Sequence, residues 1–239
     1  MSTTPTADPD APGELDRLYA YAAWMLGDRV AALAAVRSVV ATGGSGGLRE
    51  RLPTLRTAVL AQAARRRQPT PAHQRERLDA TLRTGTSVSM KMGHPALRSD
   101  LRRLPLLLTS FMQSCLIGAV QTLQPAQREA FVLLIVLGLP EPEVIAMLDA
   151  ARGFSALKSR MLHAFEGYLG PRCGHLHPAN PCHCPNRLQI ALERGFVELP
   201  EHEAASERYP AGCFTDVRRM FAALPPLRLS PALRAGLGG

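Results

Sequence analysis

Apolar residues recur at helical spacing along two separate stretches of the chain. In the first stretch the pattern predicts three helices, which run from Glu14 to Leu26, from Arg29 to Ala41 and from about Leu48 to Arg67. Gly27 suits the end of the first helix because it has no side chain, and Asp28 can cap the second. The glycine-rich GGSGG that follows predicts a loop before the third helix.

The second stretch covers residues 101–170 and contains four predicted helices. The first of them is apolar and runs from about Pro105 to Val120. The segment after it, LQPAQREAFVLLIVLGLPEPEVIAMLDAARGFSALKSRMLHAFEGYL, splits into three short helices at GLP and at DAARG. The last two of these helices form a helix-turn-helix pattern. They run from Glu141 to Leu148, with Ile145 and Leu148 predicted to face inward, and from about Ser155 to Leu169. An ordinary three-helix bundle is the alternative interpretation.

These elements predict an all-α protein with two small helical domains, because strand-favouring residues are sparse while alanine and leucine are abundant. The tail repeats apolar residues at helical spacing, which fits a helix that folds back or a segment that binds a partner. The predicted organisation is a disordered leader at 1–13, helical domains at 14–67 and 101–170, a linker at 68–100, a Cys/His extension at 171–200 and a tail at 201–239.

Charge narrows the choice of partner. The chain has 28 Lys and Arg against 20 Asp and Glu, a formal net charge of +8. This balance favours a polyanionic partner such as nucleic acid, although a solvated basic surface explains it equally well.

No secretory signal pattern begins the chain, and polar residues interrupt its most apolar window, Leu104–Leu123. We therefore predict a cytoplasmic protein without a membrane partner. The sequence contains no Ser/His/Asp set, phosphate-binding loop or paired-carboxylate site, so it predicts no enzyme activity and no organic cofactor.

The last helix of the helix-turn-helix pattern has the polar and basic residues that suit a DNA surface. The helix before it carries Glu141 and Glu143, so only the last helix is expected to approach phosphates. We expect Lys158 and Arg160 on phosphates and Ser155 or Ser159 near base edges. The full candidate DNA-binding set is Arg152, Ser155, Lys158, Ser159, Arg160 and His163, together with Arg65, Arg66 and Arg67. The arginine triplet is equally well read as a solvated helix end.

LQPAQREAFVLLIVLGLPEPEVIAML followed by LKSR resembles region 4 of the extracytoplasmic-function (ECF) sigma factors of bacterial RNA polymerase. YAYAAWMLGDR, followed by a helical segment, a glycine loop and ARRR, resembles region 2 of the same family. The resemblance covers about residues 14–67 and 101–170. It implies that region 4 reads the minus-35 promoter element and that region 2 grips polymerase and opens the minus-10 element. The implied partners are DNA, core RNA polymerase and, as a further candidate, an anti-sigma protein.

The sequence departs from this family at the positions that contact polymerase. Ala34, Arg37 and Ser38 stand where the family carries an acid, a glutamine and a glutamate. Arg37 would replace attraction to a basic surface by repulsion. Arg51 and Ala58 stand where a tryptophan and an asparagine are expected to hold single-stranded bases. The alternative function is a metal-responsive or protein-binding regulator that keeps the sigma architecture without supporting initiation.

PRCGHLHPANPCHC, residues 171–184, holds three cysteines and three histidines in a chain with five cysteines. Similar cysteine-containing extensions follow region 4 in related sigma factors. Three thiolates and one imidazole suit zinc, and the tight Cys-x-Cys spacing leaves soft ions such as copper(I) open. Unmetallated thiols and a disulfide are the alternatives. The candidate metal ligands are Cys173, His175, His177, Cys182 and Cys184.

Two cysteines lie outside this motif. Cys115 falls on the apolar face of its predicted helix and is interpreted as a core residue. Cys213, in the tail, is interpreted as a free thiol.

Overall fold

The computed structural model describes residues 13–42, 47–65, 76, 80, 103–193, 197, 201–204, 206 and 208–238. Within these residues all regular secondary structure is helical, which confirms the predicted all-α class. Residues 1–12 of the predicted leader, most of the predicted linker, and Arg66 and Arg67 lie outside the described residues.

The described residues form ten α-helices and one π-helical turn. The predicted helix bounds that fall on these residues agree to within two residues, although the helix predicted before GLP is divided into an α-helix and the π-helical turn. The elements are α1 Glu14–Leu26, α2 Arg29–Thr42, α3 Leu48–Arg65, α4 Arg103–Val120, α5 Pro125–Phe131, the π-helical turn Val132–Val136, α6 Glu141–Leu148, α7 Phe154–Leu169, α8 Cys184–Glu193, α9 Val217–Ala223 and α10 Pro231–Gly238.

Local residues explain where the helices end. Gly27 closes α1 in the left-handed conformation, at φ 67°, and its N–H donates to the Ala23 carbonyl. The Asp28 carboxylate accepts from the Ala31 N–H at 2.9 Å and so caps α2. In the turn between α6 and α7, Asp149 and Gly153 both have positive φ, which reverses the chain between the two helices.

Helix α1 lies at the centre of the molecule. Every residue from Leu18 to Leu26 is buried, because α2 and α3 cover one side of the helix while the π-helical turn, α4 and the tail cover the other. A helix that is apolar on all sides is typical of a fully enclosed core position.

Residues 14–65 and 103–169 share one continuous core. Polar side chains also join the two stretches. Tyr21 donates to the Glu129 carboxylate at 3.1 Å, and Arg56 pairs with the same carboxylate at 2.5 Å. The Arg128 guanidinium donates to the Met25 carbonyl at 3.3 Å, and burial lowers its pKa to about 10. The two stretches therefore lie against each other through buried hydrogen bonds as well as apolar contacts.

The tail folds back into the same core. Phe221 of α9 has its ring centroid 5.4 Å from that of Trp24, 5.0 Å from that of Phe131 and 5.8 Å from that of Phe165. These three partners belong to α1, α5 and α7, so one tail residue connects residues 14–65 with residues 103–169. Aromatic pairs at such separations add stabilisation beyond their buried area.

A buried carboxylate at the start of α1 holds the end of the tail. Asp16 is 1% exposed and accepts from the Leu229 N–H at 2.9 Å. The Arg234 guanidinium of α10 lies 3.0 Å from the same carboxylate. A buried charge needs such partners, so these contacts tie residues 229–234 to α1.

Among the described residues, α4 is the one helix long and apolar enough to cross a membrane by length and composition. Within the protein, 61% of its apolar window is buried. Core helices commonly pass the same test of length and composition, so this finding carries little weight on its own.

Candidate functional site

The helix-turn-helix pattern corresponds to α6, the turn after it and α7. Val144 of α6 is fully buried, whereas Ile145 and Leu148 are half-buried at the edge of the core. The prediction that Ile145 and Leu148 face inward therefore missed the residue at the centre of the contact. An eight-residue helix has too few turns to fix its inward face from apolar spacing. On α7, Met161 and Phe165 are buried.

The outer face of α7 carries a row of exposed polar side chains. Ser155, Ser159 and His163 are all exposed and are spaced by four positions, so they lie along one side of the helix. Arg160 is exposed beside this row, and Arg152 is exposed in the preceding turn. Five of the six residues predicted here therefore lie on an accessible surface.

Lys158, the sixth, is not free. It is half-buried, and its Nζ lies 2.5 Å from the Glu141 carboxylate of α6. The second acid of α6, Glu143, pairs with Arg49 of α3 at 2.6 Å. The sequence predicted that the two acids prevent α6 from approaching phosphates; in the structure, each acid is paired with a cation from a neighbouring helix. Less negative charge then faces a ligand that approaches α7.

The arginine cluster at the end of α3 is described only in part. Arg65 is exposed, and Arg66 and Arg67 lie outside the described residues. Arg49, which reaches α6, precedes Arg65 by sixteen residues on the same helix, or about 24 Å of helix length. Arg65 is therefore well separated along α3 from the end that touches the helix-turn-helix.

The predicted polymerase-binding residues lie on the outer face of α2. Ala34, Arg37 and Ser38 are all exposed. The neighbouring charges are mixed, since the tail carboxylate of Glu203 lies 3.4 Å from Arg29 at the start of α2. No acidic side chain belongs to α2 itself. This face can approach a partner, but its own helix offers no carboxylate to a basic one.

The cysteine motif folds into a closed loop that brings its two ends together. Cys173 and Cys182 form a parallel β-bridge, in which the Gly174 N–H donates to the Cys182 carbonyl at 2.8 Å. The side-chain amide of Asn180 donates to the Cys173 carbonyl at 2.9 Å and supports the turn. Cys184 then begins α8, so the three cysteines of the motif are gathered within one small loop.

The two histidines predicted as ligands are engaged or exposed. His175 is 6% exposed, and its Nδ1 and Nε2 atoms lie 2.8 Å from the Gly212 carbonyl and 3.0 Å from the Tyr209 hydroxyl. His177 is exposed, and its Nδ1 accepts from the Ala179 N–H at 3.2 Å. Within the part of the chain that the structure describes, no three His, Cys, Asp or Glu side chains form a ready-made metal-binding group.

The thiols of the motif sit in a low-dielectric environment. Burial raises the pKa of Cys182 to about 11 and raises the pKa values of Cys173 and Cys184 as well. Burial is also the main cause of a raised pKa at Cys115 of α4, and the neighbouring thiols of Cys182, Cys184 and Cys173 raise it further. Sequence reasoning treated Cys115 as a separate core residue. The spacing of cysteines along the sequence does not indicate that Cys115 lies near the motif, because this proximity results from the packing of α8 on α4.

The described residues thus offer two chemically distinct candidate sites. One is the exposed polar and basic face of α7, and the other is the cysteine loop before α8, in which Cys182 and Cys184 are buried and Cys173 is half-buried. Comparison with protein-family models, with curated protein sequences and with solved structures finds no match to this chain.

Proposed function

We propose that this chain is a DNA-binding transcription factor that uses α7 as its recognition helix. More specifically, we propose an extracytoplasmic-function sigma factor, cytoplasmic and without enzyme activity, that directs RNA polymerase to promoters. Residues 14–67 would act as region 2 and residues 101–170 as region 4. The observation that supports this most is the exposed row of Ser155, Ser159 and His163, flanked by Arg160 and Arg152, on a helix whose other side is buried.

The side chains on α7 divide into two roles by their chemistry. Guanidinium groups bind phosphate oxygens in any sequence, so Arg152 and Arg160 would fix the orientation of the protein on the duplex. Short hydroxyl side chains reach base edges in the major groove, so Ser155 and Ser159 would contribute to sequence preference. His163 lies along the same row, two turns from Ser155, and would contact DNA at the far end of the face.

Lys158 would act differently from Arg160. In the free protein its ammonium group is paired with Glu141, so it must exchange a carboxylate for a phosphate when DNA binds. The exchange offsets part of the gain from the new contact, since a favourable charge pair is lost. We therefore expect a smaller contribution from Lys158 than from Arg160.

A second candidate function is favoured by the outer face of α2. This helix has no acid of its own, and Arg37 is exposed where the family resemblance implies a glutamine. The chain would then be a metal-responsive or protein-binding regulator with the same architecture, acting through DNA, the cysteine loop or an anti-sigma partner without recruiting core polymerase.

DNA binding is tested by titrating DNA from the gene's own upstream region with the protein. Fluorescence anisotropy measures the affinity at several salt concentrations. Arg160→Ala should weaken binding to all sequences and lower the salt slope by about one. Lys158→Ala should have the same sign with a smaller effect. Arg218→Ala, which removes an exposed arginine from α9, is the matched control and should leave the slope unchanged. Equal losses for Arg160→Ala and Arg218→Ala would contradict a binding face on α7.

In vitro transcription with core polymerase and the same upstream region separates the two candidates. Specific transcripts would support the sigma factor. DNA binding with neither a transcript nor stable binding to core polymerase would favour the regulator.

A further inference from the structure

Two cysteines of the cysteine loop before α8 stand opposite each other on paired backbone segments. The Cys182 N–H donates to the Arg172 carbonyl at 3.1 Å, and the Gly174 N–H donates to the Cys182 carbonyl at 2.8 Å. These two hydrogen bonds make the parallel β-bridge between Cys173 and Cys182. Both residues are free cysteines in this structure. The backbone alone therefore places the two thiol-bearing residues side by side.

The geometry of this bridge suits a disulfide bond. The backbones of paired strands lie about 4.8 Å apart, and the side chains of directly opposed residues point to the same side. A disulfide requires the two Cα atoms to lie about 4.4 to 6.8 Å apart. The bridge places Cys173 and Cys182 inside this range, so oxidation needs rotation of the two side chains rather than movement of the backbone.

Further hydrogen bonds hold this register without any contribution from sulfur. The side-chain amide of Asn180 donates to the Cys173 carbonyl at 2.9 Å and to the Gly170 carbonyl at 2.5 Å. The Leu176 N–H donates to the same Cys173 carbonyl at 3.0 Å. The loop is therefore ordered around the bridged pair when both cysteines are reduced.

Gly174 allows the two segments to approach this closely. A β-carbon added at Gly174 would lie 2.9 Å from the Cys182 carbonyl oxygen and 2.7 Å from Nδ1 of His183. Both distances are shorter than a carbon atom can normally adopt, so a larger residue would push the segments apart. The sequence of the loop thus supports close contact between the backbones that carry Cys173 and Cys182.

The remaining cysteines lack this arrangement. Cys184 begins α8, and Cys213 is exposed in the tail. Within the part of the chain that the structure describes, the second isolated β-bridge joins Glu203 to Leu229 and contains no cysteine. Cys173 and Cys182 are therefore the one cysteine pair that a β-bridge joins among the described residues.

We propose that Cys173 and Cys182 form a reversible disulfide that closes the cysteine loop between α7 and α8. Cys173 is half-buried and Cys182 is buried, so the Cys173 sulfur is the one that a small-molecule disulfide reaches first. The Cys173 sulfur attacks that disulfide and releases one small thiol, which takes up the Cys173 proton. The Cys182 sulfur then attacks the Cys173 sulfur and releases the second small thiol with the Cys182 proton. Two protein thiols are oxidised and one small-molecule disulfide is reduced.

Peptide mapping of the oxidised protein tests the pairing. Full-length wild type is equilibrated with mixtures of oxidised and reduced glutathione, alkylated in denaturant, and digested without reduction. We expect a link between Cys173 and Cys182, with Cys115, Cys184 and Cys213 alkylated. Cys213→Ser is the control for links between two chains and should pair to the same extent as wild type. A link from Cys182 to Cys184, or the absence of a link within one chain, would overturn the proposal.

The dependence on the fold is tested by the same equilibrium in guanidinium. Because the folded backbone holds the pair in register, the equilibrium constant for forming the disulfide should fall by about tenfold or more when the protein is denatured. Gly174→Ala removes no thiol and should lower the constant of the folded protein by about threefold or more. Gly167→Ala is the matched control, because a β-carbon there meets nothing within 4 Å.

Equal constants for the native and denatured protein would overturn the proposal, since the closeness of the cysteines in sequence would then explain the pairing. A wild-type constant for Gly174→Ala would overturn it as well. The disulfide does not depend on the proposed function, so a failure of DNA binding would leave these outcomes unaffected.

Discussion

The outer faces of α2 and α7 are two exposed helix surfaces supported by the same core, and they differ in chemistry. The α7 face presents hydroxyls, an imidazole and guanidinium groups in a regular row. The α2 face presents Ala34, Arg37 and Ser38, with the Val30 side chain 73% exposed at its start. One face offers hydrogen-bond donors and positive charge, whereas the other offers no carboxylate of its own.

This difference shows how far fold and binding chemistry can separate in one chain. Exposed residues away from caps and buried networks contribute little to stability, so they can change while the helices remain. The inward-facing residues of α1 and those of α7 are buried to a similar extent. Similar packing of two helices therefore says little about the chemistry of their outer faces.

The largest expected effect is on the core that the two faces share. Phe221→Ala removes the ring that contacts α1, α5 and α7, and should lower the free energy of unfolding by about 3 to 5 kcal/mol. Denaturant unfolding followed by circular dichroism measures the loss. Val30→Ala, on an exposed side chain, is the control and should change stability by less than about 0.5 kcal/mol. Similar values for both variants would show that the tail is not part of the core.

An intermediate effect is expected when the missing chemistry is restored to α2. The triple variant Ala34→Glu, Arg37→Gln, Ser38→Glu supplies two carboxylates and an amide on an exposed face, so its affinity for core polymerase should rise by about tenfold or more. Binding to immobilised core polymerase measures this gain. A triple variant that binds core no better than wild type would show that the departures on α2 do not limit this contact.

The smallest effect concerns the charge beside α7. Glu141→Gln removes the carboxylate that holds Lys158, so affinity for any duplex should rise by about threefold at low salt. Anisotropy titrations at two salt concentrations measure the change. Glu166→Gln removes an exposed acid from the far end of α7 and serves as the control. A weaker complex for Glu141→Gln would mean that the pair orients Lys158 rather than restraining it.

Helix ends and helix class were predictable because they depend on residues close in sequence. As predicted, Gly27 ends α1 in a left-handed conformation and the Asp28 carboxylate caps α2. The exposed row on α7 also follows from helical spacing alone. Local physics was sufficient in each case.

The rest depended on contacts between distant residues, which apolar spacing does not encode. The tail pattern around Phe221 indicated a buried face without naming Trp24 or Phe131 as its partners. The pair of Lys158 with Glu141 and the packing of α8 on α4 are contacts between separate helices. Sequence reasoning could propose ligands within the motif but could not show that the extension packs on α4.

The hydrogen bond from Leu229 to Asp16 joins residues 213 positions apart, and it has a consequence for the order of folding. Contacts of such sequence separation form late and slow the search for the native state. During synthesis, the apolar surface made by Trp24, Phe131 and Phe165 stays uncovered until Phe221 leaves the ribosome. The packing of these three rings around Phe221 can therefore be completed only near the end of synthesis.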